Sequence, residues 1–509
     1  MKIPRNRRVI SEISNFEALR RVGYIHSVSM QNSSAEPQPN PARGNPIRGL
    51  VPLVLLYCAI VYLVPRPAAI DPAGWRLFGL FAATVAGLIL QPVPGGALVL
   101  MAVTLTPVLA GLTISQALSG FGDTTVWLVM AAFFISRSLI NTGLARRIAL
   151  FFVKLFGTNS LGVCYALSLS DAILATIIPS NGARTGGVIL PIVRSISELY
   201  GSSPGATAPL LGSYLFTAVY QSICVSAAMF YTGQASNPLA AKIAGNIGYE
   251  VTWTSWFLAG LVPGLVSLAV IPWVVMRLNP PQIRKTPEAA KFARRELENM
   301  GPLSKNEWIL AGVFVGVCSM WVTSGLHGID ITVTALFGSV TLLLAGVLTW
   351  EDVKNERAAW DIFIWYGGLL MLGKALNEAK VTTEFARLVA SGFENTGWPV
   401  LFVAALLIYF YAHYGFASIT AHLLAMYPPF LAVLLAKGAP PGLLVYAFAC
   451  FANLSAGLTN YGTTPSPMFF AHDYVSLKTW WKIGFAVSLV NILIWGTIGF
   501  GWWKVLRIW

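Results

Sequence analysis

Ile178-Pro179-Ser180-Asn181-Gly182-Ala183-Arg184-Thr185-Gly186-Gly187 sits deep in apolar sequence and runs on into Val188-Ile189-Leu190-Pro191. A second polar interruption, Phe416-Ala417-Ser418-Ile419-Thr420-Ala421-His422, is embedded in the same way and leads to Pro428-Pro429. Hydrocarbon offers no partner to hydroxyls, amides or broken backbone, and each unpaired group costs several kcal/mol there. Such segments survive at membrane depth where they line a site or a water-filled cavity. Two related copies, one in each half of the chain, point to the binding site of a transporter.

Composition agrees. Of 509 residues, 56% are hydrophobic and 11% charged, with a mean hydropathy of +0.66, against about 25% charged residues in soluble domains. Apolar runs of about 18 residues or more recur, long enough to cross a hydrocarbon core of about 30 Å. The expected fold class is an all-α polytopic membrane protein, one membrane unit with internal pseudo-symmetry. The net charge of +13 is concentrated in the N-terminal tail (Lys2, Arg5, Arg7, Arg8, Arg20, Arg21, Arg43, Arg48) and between Arg277 and Lys305. Basic clusters beside apolar spans mark the cytoplasmic side, and with no folded polar face no nucleic-acid partner is expected. Cys58, Cys164, Cys224, Cys318 and Cys450 lie in or beside apolar runs. They read as small buried hydrophobes, so neither a disulfide framework nor a metal or cofactor is expected.

Residues 1–48 have no apolar core segment, so no secretory signal is expected. They read as a disordered basic cytoplasmic tail, with a translation start at Met30 as a variant of that reading. A transit peptide is the alternative, against which Glu12, Glu17 and Glu36 stand. Expected spans are 50–64, 75–90, 96–110, 126–139, 210–239 and 255–276 in a first membrane repeat, 49–276. A cytoplasmic linker, 277–306, follows. A second, inverted repeat, 307–509, holds spans 308–324, 331–348, 363–376, 443–470 and 480–503. Segments 161–196 and 400–435 are taken as re-entrant hairpins, which makes about eleven crossings and puts Trp509 on the face opposite the linker. Reading the interrupted segments as full crossings is the alternative count. Short amphipathic stretches at 144–154 and 383–389 precede the hairpins in the two halves, as interfacial helices would.

A dianionic substrate needs dense hydrogen-bond donors and positive potential, without so many fixed charges that it cannot leave. Ser180, Asn181 and Gly182 in the first knot, and Ser418 and Thr420 in the second, supply hydroxyls, an amide and backbone N–H groups at half-helix starts. Each half carries a further knot about 50 residues on: Thr232 to Leu239, with Ser236 and Asn237, and Thr459 to Met468, with Thr463, Thr464 and Pro465. A single Ser or Thr in a membrane helix serves mostly to join helices; four knots in repeated order are not explained that way. Arg184 follows the first knot, and Arg137 and Lys374 occupy matching places in the two halves. All three are read as charge-compensating, with snorkelling to the interface as the alternative for Arg137 and Lys374. His413 and His422 flank the second knot as candidate contacts, packing being the alternative. Asp171 reads as a helix-end or packing residue.

Pro179-Ser180-Asn181-x-Ala183-Arg184 resembles the Ser-Asn-Thr signature of the divalent anion:sodium symporter superfamily. Ala412-His413-Tyr414-x-Phe416-Ala417-Ser418, Leu458-Thr459-x-Tyr461-Gly462-Thr463 and Trp480-Trp481-Lys482-Ile483-Gly484-Phe485 resemble one branch of it. That branch holds bacterial citrate/succinate and tartrate/succinate antiporters and plastid 2-oxoglutarate/malate translocators. The resemblance covers essentially everything after residue 50. It implies an elevator-type carrier, typically a homodimer, in which two hairpin tips and two broken helices hold a di- or tricarboxylate. Those elements are Ser180-Asn181-Gly182, Ser418-Ile419-Thr420, Ser236-Asn237 and Thr463-Thr464-Pro465. Three positions depart from the pattern: Gly182 stands where Thr is usual, Ile419 at the Asn of the second copy, and Asn460 where the antiporter branch often has His.

The expected function is sodium-independent exchange of 2-oxoglutarate, malate, succinate or a similar acid. The expected place is a bacterial inner membrane, with the plastid inner envelope as the alternative. Sodium-coupled symport is the competing transport reading; Ile419 removes one ligating oxygen and Arg184 adds a competing charge. A membrane-embedded enzyme is the remaining class, and the sequence has no intramembrane carboxylate pair, HExxH or Cys/His cluster to support it. Single cysteines placed in the tail and in the linker are expected to react with impermeant thiol reagents from one face, and a cysteine at position 509 from the other. Labelling of the linker and position 509 from the same face would refute the inverted repeat.

Overall fold

Prolines and glycines at three of the four polar knots, and extended Ser418 behind Gly415 at the other, interrupt the helix, so helices stop and restart within the apolar bulk. The computed structural model describes residues 46–393 and 395–509. The expected tail, residues 1–48, lies almost wholly outside them; the first helix starts at Pro46. Every element among the described residues is helical, apart from an isolated bridge between Asn159 and Lys285.

Seven helical segments among the described residues are long and apolar enough to cross a membrane: Pro72–Leu90, Thr124–Thr142, Trp253–Leu278, Trp398–Gly415, Ile419–Ala436, Pro441–Leu458 and Leu477–Val505. Shorter apolar helices are Arg48–Leu63, Gly95–Ala110, Ser160–Ala175 and Ile331–Leu344. Helices cover each expected span with shifted ends, but Lys305–Val322 and Arg357–Glu378, at expected spans 308–324 and 363–376, are not among these apolar helices; the interrupted segments divide at the knots. Segment 161–196 becomes Ser160–Ala175 and a helix restarting at Asn181, and 400–435 becomes Trp398–Ala412 and Ile419–Ala436. Segment 210–239 becomes Gly212–Met229 and Ser236–Asn246; 443–470 becomes Pro441–Ser455 and Pro465–Phe470. The 16-residue limb Ser160–Ala175 is about 24 Å long at 1.5 Å per residue, short of a full crossing. The limbs of the second hairpin are each long enough to cross by length alone.

Two broken helices form the centre. Every residue of Gly212–Met229 is buried, as is every residue from Gly442 to Ser455, and the two helices pack together. The Tyr220 hydroxyl donates to the Ala456 carbonyl (2.7 Å), and Gln221 Nε2 to the Gly457 carbonyl (2.9 Å). At the rim, Val108, Leu326 and Leu344 expose more than three quarters of their surface, as lipid-facing side chains do.

The linker is no free tether. Its helix Pro287–Asn299 buries Ala289 and Ala293 against the amphipathic helix Leu144–Phe156. Arg146 pairs with Glu296 and Arg147 with Glu307, each at 2.7 Å. The Thr286 N–H donates to the Thr158 carbonyl (2.8 Å), and the Ser160 hydroxyl to the Ile283 carbonyl (2.5 Å). The strap therefore clamps the base of the first hairpin. At the far end of Thr124–Thr142 the halves meet closely, since a Cβ on Gly120 would run into the Gly367 carbonyl. Gly120→Ala is therefore expected to cost about 1–3 kcal/mol by overpacking, read as a lowered thermal midpoint in detergent. An unchanged midpoint would show that this contact does not set the packing of the halves.

Candidate functional site

Each hairpin turns on a serine that caps the helix after it. Pro179 blocks helix continuation, Ser180 takes an extended conformation, and its Oγ accepts from the Ala183 N–H (3.1 Å) as the chain restarts at Asn181. The turn Thr185–Ile189 widens to π geometry just before Pro191, whose ring and missing N–H cannot join a regular ladder. In the second hairpin Ser418 is again extended, and its Oγ accepts from the Ala421 N–H (3.4 Å) ahead of Ile419–Ala436.

The broken helices restart on prolines, Pro238 and Pro465, each in a first turn where a missing N–H does no harm. Asn237 Nδ2 donates to the carbonyls of Ala227 (2.7 Å) and Phe230 (2.8 Å), satisfying the end of the preceding limb. The two breaks are built alike. A Cβ on Gly233 would lie 2.6 Å from the Ala227 carbonyl oxygen, and one on Gly462 would lie 2.6 Å from that of Ala456. In both cases that carbonyl is six residues upstream. Each of these glycines offers its own carbonyl to the neighbouring hairpin. Arg184 Nη1 donates to the Gly233 carbonyl (2.8 Å), and His413 Nε2 to that of Gly462 (2.9 Å).

Arg184 is fully buried and does not stand as a free charge. Its Nε meets Asp171 Oδ1 at 2.9 Å, and Nη1 also reaches the Ile178 carbonyl (2.7 Å). The other Asp171 oxygen accepts from the Ser226 hydroxyl. Asp171 is thus the ion-pair partner of Arg184 and more than a helix-end or packing residue, and the charge of Arg184 is balanced within the fold. His413 and His422 face each other through their Nδ1 atoms at 3.0 Å. With His413 Nε2–H donating to Gly462, neutral His413 accepts on Nδ1 from His422 Nδ1–H. His413, expected as a candidate substrate contact, is occupied in holding the break.

The first hairpin tip touches the second break. Asn181 Nδ2 donates to Thr463 Oγ1 (3.0 Å), and the Thr463 N–H donates to Ser466 Oγ (3.0 Å). A Cβ on Gly182 would come within 2.8 Å of Thr464 Cγ2; the close crossing of tip and break accounts for glycine where threonine is usual. Asn453 Nδ2 donates to Asn237 Oδ1 (2.8 Å), and Ser236–Asn246 packs on Ile419–Ala436. Both hairpins and both breaks thereby form one closed ring of contacts. Thr464 is exposed, Ser180, Ser418 and Thr420 are half-buried, and Pro465 is buried in the first turn beyond the break. Ser236 Oγ, Asn453 Oδ1 and Thr459 Oγ1 are buried without a partner.

Three expected residues are engaged in other contacts. Arg137 lies 4.0 Å from both Asp352 and Glu356. Lys374 is 3.9 Å from Glu378, and Asn460 accepts from Trp481 Nε1 (3.2 Å). Tyr220, Gln221 and Asn453 carry no sequence signal beyond a polar group in an apolar run. Asp171 carried a stronger one, because an acid and a base both sunk in apolar sequence must find each other.

The profile described as the sodium:sulfate symporter transmembrane region matches residues 47–509. YflS of Bacillus subtilis, provisionally named a malate transporter, is 45% identical over 464 residues, which cover 90% of this chain and 97% of YflS. Dicarboxylate transporter 1, chloroplastic, of Arabidopsis thaliana is 40% identical over 477 residues, 93% of this chain and 86% of the relative. Inner membrane protein YbhI of Escherichia coli is 33% identical over 466 residues, 90% of this chain and 97% of YbhI. The solved structure of the Alcanivorax borkumensis YdaH transporter superposes with a TM-score of 0.52 at 14% identity, covering 90% of this chain and 99% of that one. At that identity the match speaks for the fold alone.

Removing one partner of a buried ion pair strands the other charge, at about 3–5 kcal/mol. Arg184→Gln and Asp171→Asn are each expected to lower thermal stability sharply, and the double variant by less than the sum. Additive losses would show that the two side chains are not coupled.

Proposed function

We propose that this chain, which belongs to the sodium:sulfate symporter family, is a secondary carrier that exchanges small dicarboxylates (2-oxoglutarate, malate, succinate or a similar acid) without sodium. The printed names of its bacterial and plastid relatives support the substrate class. In this reading the substrate lies against Ser180, Asn181, Gly182, Ser418, Thr420, Ser236, Asn237 and the segment Thr463-Thr464-Pro465. The carrier works as a homodimer, and an inverted pair of repeats moves the ring of tips and breaks across the bilayer.

The observation that carries the proposal is the source of positive potential. Four helices begin at the ring, at Asn181, Ser236, Ile419 and Pro465. A full helix start is equivalent to about half an elementary charge; Pro465–Phe470 has only six residues and adds less, so the four together offset much of the two charges of a dicarboxylate. This potential belongs to the backbone and cannot leave with the substrate. The loaded ring is near neutral, whereas the empty ring keeps unbalanced positive potential in a poorly polarisable setting. Only the loaded form then crosses readily, and exchange follows. Arg184, paired with Asp171, contributes by holding the first tip against Gly233.

Sodium-coupled symport is the second reading, favoured by the partnerless oxygens of Ser236, Asn453 and Thr459, which suit a hard cation that travels as cargo. Buried Ile419 offers no matching oxygen at the other tip. Vesicles separate the two readings. With malate inside, labelled malate uptake is expected to be fast and indifferent to sodium; with nothing inside, it is expected to be slow even under an inward sodium gradient. Fast sodium-driven uptake into empty vesicles would establish symport instead.

Asn181→Ala removes a donor worth about 1.5–3 kcal/mol to a charged partner. Uptake below saturation is expected to fall about ten- to hundredfold in protein that still melts near the parent temperature. Unchanged uptake would move the site away from the first tip.

A further inference from the structure

The helix Ser236–Asn246 starts at the ring and, about 15 Å further along at 1.5 Å per residue, ends in a cleft of about 310 Å³. The cleft lies at the start of Thr124–Thr142, about 28 Å by the same rise from the end that leads into the amphipathic helix Leu144–Phe156, on which the strap packs. Its walls carry Lys242 and Asn246 from the ring's own helix, Lys374, Asn377 and Glu378 from Arg357–Glu378, and Asp123. Lys242 Nζ meets Asp123 Oδ2 at 2.8 Å, while the other Asp123 oxygen caps Thr124–Thr142 by accepting from the Thr125 N–H (2.9 Å). Lys374 is two-thirds exposed, and its carboxylate partner, Glu378, is 3.9 Å away and as exposed.

The chemistry differs from that of the ring. There the donors are neutral and fixed; here they are full charges on flexible stems, open to water. Exposed pairs like Lys374 with Glu378 contribute about 0–1 kcal/mol, so an incoming carboxylate displaces Glu378 at little cost. Two lysines flanked by amides suit a molecule with two carboxylates. Asp123 and Glu378 keep the empty cleft close to neutral.

We propose that this cleft is a vestibular anion site, in which Lys242 and Lys374 capture a dicarboxylate before it reaches the ring. The substrate class rests on the exchange reading above; the cleft itself does not. Asp123 is then a competitor for Lys242, released when substrate arrives. That assignment makes the two members of one ion pair behave oppositely, which a merely structural pair would not do.

The test is equilibrium binding of labelled malate to purified full-length protein carrying Asn181→Ala, which weakens the ring, at low and at physiological salt. Weak, salt-sensitive binding is expected to remain. Lys242→Gln or Lys374→Gln is expected to weaken it about tenfold, and Asp123→Asn to tighten it, since asparagine caps a helix as well as aspartate does. In proteoliposomes of the otherwise native chain, the lysine variants are expected to raise KM and leave the maximal rate unchanged. Binding that ignores all three substitutions, or that Lys242→Gln and Asp123→Asn shift in the same direction, would overturn the proposal. If lysine-dependent binding is present but malate does not exchange, the vestibule stands and the exchange reading falls.

Discussion

A helix broken inside a bilayer exposes carbonyls and amides that lipid cannot satisfy, and the architecture follows from how those groups are met. Each break is served by the hairpin beside it. Arg184 closes on the Gly233 carbonyl and His413 on that of Gly462. Asn237 ties off the limb that ends at Met229, while the serine caps at 180 and 418 serve the hairpins' own restarts. Broken backbone is therefore held within protein.

That arrangement demands close approach. Gly233 and Gly462 lie under carbonyls that would exclude any side chain, and Gly182 crosses Thr464 at a distance that leaves no room for a methyl group. Gly260 and Gly484 repeat the pattern one helix further on, each pressed against carbonyls at the end of the first limb of a broken helix, with a Cβ only 2.5 Å from Met229 and Gly457 oxygens respectively. The two halves thus share a set of contacts as well as a pattern of polar residues.

Buried charge is handled conservatively. Arg184 is one of the largest fully buried side chains, and its neutralisation by Asp171 avoids the penalty of an isolated ion. The helix starts at the ring carry partial charges built into the backbone, whereas Lys242 and Lys374 carry full charges on mobile stems in their cleft.

The sequence by itself determined that this is a helical membrane protein with four polar knots in repeated order. Charged and hydroxyl side chains are too costly in hydrocarbon to occur there without purpose, and where they cluster with proline or glycine the helix breaks, whereas prolines by themselves, such as Pro263, Pro272, Pro428 and Pro429, lie inside continuous helices. It singled out Ser180, Asn181, Thr463 and Thr464 as candidate site residues, because their type and spacing report helix restarts. What tertiary structure alone decided is which group meets which. That Arg184 belongs to Asp171, that His413 holds Gly462, and that Lys374 lies in a cleft with Lys242 depend on how helices distant in the chain cross. Hydrogen bonds and ion pairs act over a few ångströms, and periodicity along one helix carries no record of the helix that packs against it.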